Sequence, residues 1–162
     1  MNLYIRQKVF SWRDRFAIMD AYQNSRWFAE GEIFTLGRKL HVYNANGIEV
    51  AFIWRKLLSF LPRYFIEING MQYEFVKEFT LLRPVYTIRN LGWMVEGNFL
   101  AHDYVVNFNG GVVMRIAKAW LSWGDFYELS ISREQDELLC LCVALAIDCI
   151  TADIADNNSS NI

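Results

Sequence analysis

Two histidines, three cysteines and eighteen acidic residues are the groups in this 162-residue chain that could do acid–base, nucleophilic or metal chemistry. His41 alternates with Leu40 and Val42, the pattern of a side chain on the wall of a sheet. His102 precedes Asp103, and a carboxylate can orient an imidazole as a general base requires. Adjacent strand residues point to opposite faces, so this pair meets only in a turn. No Gly-x-Ser-x-Gly elbow offers a nucleophile for it to activate. A polar contact in a turn or at a strand end is therefore the expected role of His102. Asp148 stands between Ile147 and Cys149 in an apolar run, where a carboxylate needs donors or must stay protonated. It is expected at a helix end, hydrogen-bonded to the rim of the fold; a polar functional site there is the alternative.

Cys140, Cys142 and Cys149 lie in one short segment, and their odd number argues against a disulfide framework. The single-residue spacing of the first two matches neither a redox pair nor a zinc-ligand pair. They read as buried free thiols, which suits a reducing cytoplasm, and the charges at Arg6 and Lys8 lead to the expectation of no secretory signal. Glu30, Glu32 and Glu96 read as structural carboxylates; no metal cluster or phosphate-cradling loop is present, and no cofactor is expected. Sixteen Lys and Arg oppose eighteen Asp and Glu, a net charge of -2, so the whole-protein field favours neither nucleic acid nor an anionic membrane. Local basic clusters remain: Arg6 with Lys8, Arg13 with Arg15, and Arg63. Arg38, Lys39, Arg55 and Lys56 are the candidate ligand-binding residues, as donors to lipid phosphate.

The elements that must position these groups are mostly strands. Tyr64, Ile66 and Ile68 share one face and Arg63 and Glu67 the other. About twelve such segments fill residues 3–132. Asn46-Gly47, Asn69-Gly70 and Asn109-Gly110 have the composition of type I′ hairpin turns. There is also an internal repeat. Trp27–Gly31 matches Trp93–Gly97, and Gly47–Ile68 aligns without a gap on Gly110–Ile131, placing Tyr64 opposite Tyr127. A smaller unit, a hydroxyl residue and a large apolar residue before Pro or Asp, recurs at Phe10–Asp14, Leu58–Pro62, Phe79–Pro84 and Leu121–Asp125, and reads as equivalent corners.

Glu134–Asp153 lacks Gly and Pro and is acidic in its first turn, which suits the positive end of a helix dipole. Leu138–Ile147 is apolar at every position, so the helix is hydrophobic all round and belongs in a core. Ten residues reach about 15 Å, about half a bilayer core, so no transmembrane span is expected. Twelve antiparallel strands must hide their edges, and closing into a barrel does so. The bore would be too wide for wall side chains alone, and the helix would fill it. The expected architecture is a mainly β, closed antiparallel barrel of about twelve strands around a central C-terminal helix: one domain over residues 1–155, with a polar frayed tail at 156–162.

Several ordered motifs carry a family resemblance: Lys8–Trp12, Glu30–Phe34, Leu36–Leu40, Leu57–Pro62, Ala101–Tyr104 and Ala146–Cys149. Together, over about residues 1–153, they resemble the LURP-one-related family. That resemblance implies a Tubby C-terminal-like fold, an arrangement also proposed for phospholipid scramblases. Tubby domains bind phosphoinositides and can be tethered to membranes, while plant LURP-one-related proteins are linked to defence. The expected function is a non-enzymatic binding or regulatory module for an anionic phospholipid or another protein. The alternatives are a lipid-translocating, scramblase-like protein, an enzyme with an unrecognised site, and a carrier of an apolar ligand, which would need an empty barrel.

Overall fold

Period-two alternation becomes an uninterrupted antiparallel meander. The computed structural model describes residues 1–6, 16–32, 36–122 and 124–159. Its strands are Asn2–Arg6 (β1), Phe16–Met19 (β2), Ser25–Gly31 (β3), Lys39–Asn44 (β4), Glu49–Arg55 (β5), Arg63–Ile68 (β6), Met71–Lys77 (β7), Val85–Ile88 (β8), Trp93–Asn98 (β9), Asp103–Phe108 (β10), Gly111–Leu121 (β11) and Gly124–Ile131 (β12). Each pairs with its sequence neighbours, and β1 pairs with β12 to close the barrel. A 3-10 turn at Glu134–Asp136 leads into one helix, Glu137–Ser159 (α1).

Asn69 and Gly70, like Asn109 and Gly110, both take positive φ, as type I′ turns require. The Asn46-Gly47 loop differs. Only Gly47 is left-handed there, Gly47 N–H donates to Asn44 O, and the β4–β5 register shifts between Val42 and Tyr43. This is a type I turn with a glycine bulge, drawn together by Asn44 Oδ1, which accepts from the backbone N–H of Asn46 and Ile48.

The internal repeat is exact in register. Ala51 pairs with Ile68 and Met114 with Ile131; Ile53 with Ile66 and Ile116 with Leu129; Arg55 with Tyr64 and Lys118 with Tyr127. Two of the recurrent corners lie within the described residues. Ser59 donates to Leu61 O and Thr80 to Arg83 O, so the hydroxyls close local backbone turns. The Leu121–Asp125 corner is tighter, because Leu121 still pairs with Gly124. Phe10–Asp14, and with it Arg13, falls outside the described residues, as do Lys8 and Arg15.

Because the meander is antiparallel throughout, odd-numbered strands all run one way. α1 follows β12, enters where those strands begin, and runs toward the rim where they end, here termed the far rim. Leu141, Leu145 and Ile150 are buried although they lie on different sides of the helix. Leu138 and Leu139, also expected to be buried, are only half-buried because they belong to the entry turns at the near rim. Glu137 anchors that end, accepting from Trp27 Nε1 at 2.7 Å and Arg26 at 2.9 Å. Residues 156–159, expected to be a frayed tail, continue the helix.

Candidate functional site

The polar residues that interrupt α1 meet the barrel wall near the far rim. His102 lies in the turn between β9 and β10 with φ 51, a left-handed conformation outside the usual range for a side-chain-bearing residue. From there Nε2 reaches Asp148 Oδ1 at 2.6 Å, and the ring stacks on Tyr127 with centroids 3.9 Å apart. Asp103, the sequence neighbour, is not the partner. Two residues singled out separately in the sequence thus form one contact. Burial raises the Asp148 carboxyl above its ordinary pKa, and the His102 hydrogen bond opposes that shift without cancelling it. Nearby, the Tyr104 hydroxyl is buried with no hydrogen-bond partner among the described residues.

One turn further, Asp153 gathers a second cluster. Arg38 Nε donates to its Oδ1 at 2.6 Å; Arg55 at 3.0 Å and the Tyr64 hydroxyl at 2.7 Å donate to Oδ2. Arg55 and Tyr64 are cross-strand partners, so the barrel register sets both donors on one carboxylate. Burial pushes the Tyr64 hydroxyl up, keeping it protonated as a donor. Sequence reasoning placed Arg38 and Arg55 among the ligand-binding candidates but missed Asp153. In the structure both arginines hold the helix. Lys39 pairs with Glu32 at 3.1 Å, while Lys56 is exposed. Of the four candidates, Lys56 alone carries no ion pair among the described residues.

His41 is a wall residue, as its alternation implied. Its two ring nitrogens meet Glu49 at 3.1 Å and Glu32 at 3.0 Å, and its ring packs on Phe52. Burial favours the neutral ring, but the two carboxylates together outweigh it and raise the His41 pKa. Hydrogen bonds from His41 and Lys39 in turn lower the Glu32 carboxyl. Cys140, Cys142 and Cys149 are buried free thiols; burial raises all three, with Cys140 pushed up to about 12. Among the described residues no cluster of His, Cys, Asp and Glu is arranged to hold a metal ion.

The far rim also carries what composition could not localise. Leu58, Phe60, Phe79, Leu81, Leu82 and Leu100 sit on the β5–β6, β7–β8 and β9–β10 connections with exposures of 72% to 106%. All three connections join the end of an odd strand to the next even one. Lys56 and Arg83 stand beside these tips, exposed and without ion pairs among the described residues. No helix among the described residues is long and apolar enough to cross a membrane.

Comparison with known proteins agrees with this architecture. The chain is 34% identical to uncharacterized protein YxjI of Bacillus subtilis (strain 168) over 159 residues, covering 98% of each. A protein from Arabidopsis thaliana, solved by X-ray crystallography, superposes with a TM-score of 0.59 at 16% identity, over 91% of this chain and 89% of that one. That likeness concerns the fold, the Tubby C-terminal-like barrel around a C-terminal helix. The LURP-one-related family profile matches residues 1–148, and with the 34% relative it establishes that the chain belongs to the LURP-one-related family.

Proposed function

We propose that the protein is a non-catalytic binding module that docks on anionic membrane surfaces through the far rim of its barrel. The observation that carries this reading is the collection of exposed Leu and Phe side chains on three successive far-rim loops, beside Lys56 and Arg83, which have no ion pair among the described residues. Large apolar side chains clustered in water mark an interaction surface. Fully burying one contributes about 1.5–3 kcal/mol, and each basic residue near an anionic leaflet adds about 1 kcal/mol. Several tips acting together outweigh the weak repulsion from a net charge of -2. α1 runs through the bore and packs on its walls, which supports docking at the surface over lipid passage through the barrel. His102 is engaged by Asp148 and the thiols are buried with raised pKa, which supports a binding role over a catalytic one.

Flotation with phosphatidylcholine vesicles, with and without phosphatidylserine, tests this. The protein is expected to float with the anionic vesicles, less so as salt rises. Leu58→Ser with Phe60→Ser, and separately Lys56→Glu with Arg83→Glu, should weaken binding at unchanged Tm. Equal binding to both vesicle types, or none at low salt, would overturn the reading and favour a protein partner at this rim.

A further inference from the structure

α1 is held between two facing walls of the barrel. It packs against β5, β6, β11 and β12. The Asp153 cluster ties its far end to Arg38, Arg55 and Tyr64 on the β4–β6 side. β5 and β6 face β11 and β12 across the closed barrel, so the helix bridges those two walls and β8 to β10 lie to one side of it. There a pocket of about 710 Å³ opens between the last turns of the helix and the far rim. Its walls include Val85, Tyr86, Phe99, Val105, Ile147 and Ile150. Leu100 and Ile154, both exposed, form its lips. Gly97 leaves part of the wall without a side chain, and no side chain fits there easily: at φ +142 a Cβ would lie 2.5 Å from Asp103 O and Tyr104 Cα.

The pocket opens to water at the rim, as a ligand cleft does. Its volume and largely apolar lining are those of a small-molecule site, which typically holds about 300–1,000 Å³. The charges that face it are Lys77, Arg83 and one carboxylate, Glu96. Neither cation is in an ion pair among the described residues, so the mouth carries net positive charge. Lys77 is in the inward phase of β7, two residues beyond buried Phe75. An apolar bore with cations at its entrance is complementary to a flexible hydrocarbon tail bearing an anionic head.

We propose that this pocket binds the acyl chain of a single-chain anionic amphiphile, with Lys77 and Arg83 holding its head group. The site takes the molecule as a monomer from water and so does not require the membrane-docking reading, although the two share a rim. The head could be a carboxylate, as in a fatty acid, or a phosphate, as in a single-chain lipid phosphate; both present an anion to the same cations.

Calorimetric titration of the intact protein with octanoate, decanoate and dodecanoate below their micellar concentrations, with decyl phosphate and decanol alongside, tests this. Saturable one-to-one binding should tighten up to about fourfold per added methylene and level off once the pocket is full. Decanol should bind more weakly than both anions, and Lys77→Ala with Arg83→Ala should reduce the anions to its level. The tighter of decanoate and decyl phosphate identifies the head group. Ile154→Trp, which fills the mouth from a half-exposed helix position, should weaken binding at least tenfold. Leu100→Trp, on the loop lip, serves the same purpose if that variant fails to fold. Leu58→Ser with Phe60→Ser should leave monomer binding unchanged while reducing vesicle flotation, which separates failure of this inference from failure of the docking reading. Absence of saturable binding, or binding that neither tryptophan weakens, would overturn the pocket assignment.

Discussion

At the residue scale, two histidines show how context determines what an imidazole does. His41, between Glu32 and Glu49, has a raised pKa. The folded state therefore binds its proton more tightly than the unfolded chain, so this contribution is present below the unfolded value of 6.5 and is lost as pH rises through the higher folded value. His41→Gln should flatten the pH dependence of Tm above pH 6.5 relative to the parent. Asp148 follows the same sign for a different reason. Burial raises its carboxyl, so the parent loses stability as pH rises from 3.8 through the raised value. Asp148→Asn removes that proton uptake and can still accept from His102. The Tm of this variant relative to the parent should therefore rise across that window. His102→Ala, by contrast, strips a buried carboxyl of its partner and should cost about 1–3 kcal/mol, read from urea unfolding.

At the element scale, α1 is a core element that happens to be a helix. Leu141 is fully buried among wall residues. Leu141→Ala should therefore cost about 2–5 kcal/mol through lost burial and a residual cavity, measured by urea denaturation. Glycines divide by what surrounds them. Gly70 has φ +75 and open space where a Cβ would lie, so Gly70→Ala bears only the left-handed penalty, about 1–2 kcal/mol. At Gly97 the same substitution also drives a methyl into the β10 backbone. Gly97→Ala should thus be much the more damaging, seen as loss of soluble protein or a far lower Tm. Comparable stabilities for the two variants would contradict the tight β9–β10 approach.

At the scale of the whole molecule, chemistry is divided between the two rims. The near rim receives the helix, whose first turn is held by Glu137. The far rim collects apolar loop tips, exposed cations, the His102–Asp148 contact and the pocket beside α1. A net charge of -2 provides no general attraction to anionic lipid. Binding by the far rim should accordingly weaken as the Debye length contracts from about 10 Å at 0.1 M to about 3 Å at 1 M, leaving a salt-resistant residue from the apolar tips. Flotation across that salt range checks it: complete loss at high salt would mean that the Leu and Phe tips stay in water.

Strand alternation, the repeat and the all-apolar helix together pointed to a closed barrel around a core helix. These are local periodicities, and burial on one face requires each strand to keep its register. The repeat also specified which positions of the two halves are equivalent, and the cross-strand pairs Arg55–Tyr64 and Lys118–Tyr127 keep that equivalence. The sequence also identified His102 and Asp148 as residues that needed partners, but not that they were each other's. That contact joins a turn to a helix 46 residues away, and only the closed barrel brings them together. For the same reason Arg38 and Arg55 read as free cations along the chain, although Asp153, distant in sequence, pairs with both. The apolar loops at one rim and the pocket beside the helix were likewise decided by tertiary structure. Which end of a barrel a loop occupies, and which walls a core helix touches, depend on the sum of long-range contacts, and no window of sequence contains that sum.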